Sequence, residues 1–75
     1  MNTPTVTPVP GGFVVATPLR DGDVLVEGFF LGEAQDGTPL TQPFTHQRVP
    51  QADVAKEVAE HIEDLQGFLA KEYAA

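Results

Sequence analysis

The sequence predicts a small α+β domain: a three-stranded antiparallel β-meander with one C-terminal α-helix packed on one sheet face, in the order β-β-β-α. Two observations carry this. Asp21-Gly22 and Asp36-Gly37 each lie between β-rich runs, and Asp-Gly in that setting is a strong hairpin signal. Further on, Val54, Val58, Ile62, Leu65 and Leu69 recur at intervals of three and four, which puts them on one face of a helix.

The elements follow in order. Residues 1–10 hold Pro4, Pro8 and Pro10 among Thr and Val. Proline fixes φ and removes a backbone donor, so this stretch is not helical. It reads as a flexible Thr/Pro-rich tail, with an edge strand or docking arm as the alternative, and residues 11–75 form the single domain. Strands are expected over 13–19, 24–31 and 40–49. Pro39 and Pro43 cannot donate to a ladder, so the third strand belongs at an edge or carries a bulge. The helix starts near Pro50 or with Asp53 as its N-cap. Gly67 interrupts it at about 1 kcal/mol relative to Ala, so the last turn is expected to fray or bend.

Composition bounds the function. The chain has 75 residues, no Cys, 4 basic and 11 acidic residues, and a net charge of −7. Disulfides, thiolate metal sites and cysteine nucleophiles are excluded. An acidic chain repels nucleic acid and anionic membrane. No apolar run approaches a membrane span, and the N-terminus lacks the pattern of a signal peptide. The expectation is a soluble cytoplasmic protein without cofactor, nucleic-acid partner or membrane contact. Its usage, rich in Ala, Val, Gly and Pro with only two Lys, is that of GC-rich bacterial genomes and their prophages.

Register decides which side chains meet the helix. Two-residue turns at both Asp-Gly pairs would set Leu19 against Val24, Phe13 against Phe30, Val24 against Val49 and Phe29 against Phe44. One face then carries Phe13, Val15, Thr17, Leu19, Val24, Val26, Phe30, Thr45, Gln47 and Val49, with no charge. The helix belongs there, because burying an unpaired charge is costly. The other face carries Val14, Ala16, Leu25, Glu27, Phe29, Leu31, Phe44, His46 and Arg48. A bulge at Gly28, Gly32 or Pro43 would move part of this pattern across the sheet.

That second face is the candidate functional surface. Val14, Phe29 and Phe44 form an apolar row with Leu25 and Leu31 beside it, and monomers seldom leave such a patch bare. Glu27, His46 and Arg48 sit at its rim. The function expected is a non-enzymatic interaction module that self-associates as a homodimer or binds another protein. The alternative rests on the helix, where Asp53, Glu57, Glu60, Glu63, Asp64 and Glu72 outnumber Lys56 and Lys71. Such a surface suits an acidic inhibitor or nucleic-acid mimic that binds a basic protein. Carboxylate, imidazole and guanidinium at Glu27, His46 and Arg48 also match acid–base chemistry, although a cross-strand ion pair accounts for them. His61, with Glu57 and Asp64 one turn away, has the spacing of a weak metal site, although that spacing more often marks a solvated helix face.

Overall fold

The computed structural model describes residues 3–73. Four strands form one antiparallel sheet: β1 (Thr5–Val9), β2 (Gly12–Pro18), β3 (Asp23–Glu33) and β4 (Pro39–Pro50), in that spatial order. A 3-10 turn over Gln51–Asp53 leads directly into helix α1 (Val54–Tyr73). The expected α+β meander with a C-terminal helix is present, with four strands in place of three.

The additional strand comes from the expected tail. Val9 pairs with Gly12 across Pro10-Gly11. Proline sets φ for the first turn position and Gly11, at φ +87°, takes the left-handed second one, the pattern of a type II turn. Once the turn is made, Thr5–Val9 zips along β2 as an edge strand whose prolines are tolerated there. Residues 1 and 2 of the tail, and 74 and 75 of the domain, lie outside the described residues.

Both Asp-Gly turns are one residue longer than expected. The Leu19 amide donates to the Asp23 carbonyl (2.8 Å), so Arg20, Asp21 and Gly22 form a three-residue loop. Ala34 and Thr38 close the second loop in the same way (2.8 Å). Each is a type I turn followed by a left-handed glycine, Gly22 at φ +93° and Gly37 at φ +86°. In each, the Asp side chain accepts a hydrogen bond from the amide two residues on, both at 3.0 Å. Bonds from the Thr38 hydroxyl and amide hold the Asp36 carboxyl below its ordinary pKa.

The extra residue has different consequences in the two hairpins. In β2–β3 nothing compensates, so Phe13 faces Phe29 and Ala16 faces Val26. Every side chain of β2 therefore lies on the face opposite to the one expected. In β3–β4 a bulge between Gly28 and Phe29 inserts Phe44 and restores the expected pairing of Val24 with Val49 and Val26 with Gln47.

The core lies between sheet and helix. Val14, Ala16, Val24, Val26 and Val49 pack against Leu65 and Leu69, with Val54, Val58 and Ile62 at the margin. Phe30, Phe44 and Phe68 close one end, with Phe44 and Phe68 ring centres 4.6 Å apart. Pro50 occupies the N-cap of the 3-10 turn, and Asp53 lies inside that turn. The helix runs past Gly67 to Tyr73 without the expected break. A Cβ at Gly67 would meet nothing within 4 Å. Gly67→Ala should therefore raise stability by about 0.5–1 kcal/mol in urea unfolding, through helix propensity alone.

Candidate functional site

The helix covers one side of the sheet, touching β2, β3 and β4. Among the described residues, no element covers the other side. Alternation along the strands and the observed pairing place a row on that open face across all four strands: Pro8, Phe13, Phe29 and Pro43. The next row holds Val6, Val15, Glu27 and His46. Leu25, paired with Arg48, and Leu31, paired with Thr41, lie at either side. Phe13 and Phe29 stack with centres 5.2 Å apart and planes at 23°. Val6 and Leu31 are 57% and 53% exposed, so the face reaches solvent with large apolar groups.

Six of the eight expected surface residues are on this face: Leu25, Glu27, Phe29, Leu31, His46 and Arg48. Two are not. Val14 is 1% exposed in the core, because the longer first turn rotates β2 by one residue. Phe44 packs on Phe68 under the helix, because the bulge turns it over. Phe13 and Val15 take the place of Val14, and Val6 and Pro8 extend the face onto β1. The expected row is thus rebuilt from different residues, with an aromatic pair at its centre.

Glu27 and His46 are paired as the register expects, and Arg48 is engaged elsewhere. Arg48 is bound to the β2–β3 turn, with Nε donating to Asp23 Oδ2 at 3.0 Å and a second contact to Asp21. Its guanidinium thus clamps a turn to β4. Glu27 and His46 are directly opposite, yet among the described residues Glu27 forms no ion pair.

A separate polar seam joins sheet to helix. His61 is 6% exposed and does not lie on a solvated face. Its Nδ1 is 2.7 Å from Thr45 Oγ1, and its Nε2 is 3.4 Å from Glu57 Oε1. In the tautomer protonated at Nε2, the Thr45 hydroxyl donates to Nδ1 and Nε2–H faces the carboxylate; in the other tautomer Nδ1–H donates to Thr45. Gly28, opposite Thr45, makes room, since a Cβ there would lie 2.7 Å from Thr45 Oγ1. His46 and His61 line one open groove of about 440 Å³ at the β4 edge, with Glu57, Glu60 and Asp64. Among the described residues no group of His, Asp and Glu is arranged to hold a metal. No described helix is long and apolar enough to cross a membrane.

The seam was partly legible: His61 falls between Val58 and Leu65 at intervals of three and four, within the buried stripe. The Thr45 contact was not, because it depends on the bulge. Thr45→Val should cost about 1–2 kcal/mol in chemical denaturation, since it leaves Nδ1 of a buried imidazole without its hydrogen-bond partner.

No family model, no curated protein and no solved structure matches the chain.

Proposed function

We propose that this protein is a non-enzymatic interaction module that pairs with a second copy of itself through its open sheet face. The observation that carries the reading is the uncovered apolar surface centred on the Phe13–Phe29 stack. Surface arithmetic supports it. The chain exposes 5265 Å². General scaling gives a folded monomer of its mass about 4450 Å². The chain is thus more open than a compact monomer of its size. The radius of gyration, 13.4 Å, likewise exceeds the roughly 11 Å of a compact chain of this length.

Charge favours a second copy in this orientation. The exposed helix carboxylates Asp53, Glu60, Glu63 and Asp64 lie on the side away from the open face. Two copies joined sheet to sheet keep these groups apart, whereas contact through the helices brings like charges together. An isologous pairing also suits a flat face that repeats the same row on both partners.

The same acidic helix surface supports the alternative reading, an inhibitor or nucleic-acid mimic that binds a basic protein. It stays accessible in the dimer. Such binding should weaken steeply with added salt and with Glu60→Lys plus Glu63→Lys.

Light scattering after size exclusion tests the leading reading. A mass near 16 kDa, twice 8.0 kDa, is expected for the native chain. Phe29→Asp and Leu31→Lys should each give a folded monomer with unchanged circular dichroism. A native chain that stays at 8.0 kDa at every concentration, or a variant that still dimerises, overturns the reading.

A further inference from the structure

We infer that self-association through the open face is gated by protonation of His46; the inference rests on the reading of that face as a dimer surface. Glu27, expected at the rim, lies in the middle of the face because β3 is an inner strand. Along β3 its same-face neighbours are Leu25 and Phe29, and across the sheet it is opposite Val15 on β2. A second copy laid over this surface withdraws the carboxylate from water among apolar groups. An ionised carboxylate in that position is strongly unfavourable unless a cation neutralises it.

Arg48 is not available for this. Its guanidinium is already shared between Asp21 and Asp23, whose two carboxylates outweigh its charge. The remaining neighbour is His46, directly opposite Glu27 on β4. β4 is the edge strand, so no further strand carries a group beyond it. Around that edge, Glu57, Glu60 and Asp64 of α1 line the same groove as His46 and His61. Arg48 lies two residues along β4 and is engaged by its own two carboxylates.

The direction of the effect follows by linkage. The dimer holds Glu27 ionised beside a protonated His46, whereas the free chain can leave the imidazole neutral. Association therefore takes up protons and tightens as pH falls. Imidazole changes charge between about pH 5 and pH 8, above the range in which ordinary carboxyl groups titrate. Glu27 thus acts as a lock on the face at alkaline pH, and His46 releases it.

Analytical ultracentrifugation of the full chain at about pH 8 and about pH 5.5 tests the gate, because this interval spans the imidazole transition. The native dimer should tighten by about tenfold or more on acidification, one opposed proton equilibrium being worth that much. Glu27→Gln should dimerise tightly at both values. His46→Gln should dimerise weakly at both, and because it keeps His61, it separates the gate from a general loss of negative charge. As a readout independent of the variants, the NMR titration midpoint of the His46 ring should rise with protein concentration. A native dimer indifferent to pH, or a His46→Gln dimer with the native pH response, overturns the gate and leaves the dimer surface standing. Absence of a dimer at both pH values in the native chain and in Glu27→Gln overturns the dimer surface and the gate together.

Discussion

One residue in a hairpin turn decides which half of the sheet is core. Side chains alternate across a strand, so a loop of three residues instead of two exchanges the faces of the strand it feeds. Asp21-Gly22 and Asp36-Gly37 both close as a type I turn with a left-handed glycine. In the first hairpin the shift stands, and Val14 and Ala16 become core while Phe13 and Val15 face outward. In the second, the bulge opposite Gly28 cancels it. The core, the aromatic cluster and the open face all follow from these two counts.

The bulge also connects packing with polarity. By adding Phe44 it completes the Phe30–Phe44–Phe68 cluster. Next to it, the bare backbone of Gly28 leaves room for Thr45 to reach His61. A single irregularity therefore seats an aromatic ring and a hydrogen-bonded imidazole side by side under one helix. No buried side-chain polar atom of the described residues lacks a partner, so the seam adds order without an orphaned group.

Much of this was legible in the sequence, and the limits have identifiable causes. The apolar stripe from Val54 to Leu69 marks the helix unambiguously, because five residues repeat one period. The pairing of Val24 with Val49 was obtained from a wrong loop length and an unplaced bulge that offset each other. β1 was offered only as the alternative to a flexible tail, although Pro10-Gly11 is itself a turn signal; three prolines in ten residues weighed against a strand, yet an edge strand tolerates them. Of the candidate surface, the residues of β3 were placed correctly, and so were His46 and Arg48 on β4 beyond the bulge. Val14 and Phe44 were misplaced, since an Asp-Gly pair alone does not tell a two-residue loop from a three-residue one.

The prolines at the sheet's margins bear on how far assembly can proceed. β1 carries Pro8, and β4 carries Pro39, Pro43 and Pro50. Each removes one amide from an outer ladder, so neither margin offers a continuous template for strand addition. With one broad side sealed by α1, lateral growth is blocked at both margins and stacking can proceed in one direction only. A pair formed on that side has no further apolar side to extend from, and such geometry terminates at two subunits without propagating into fibrils.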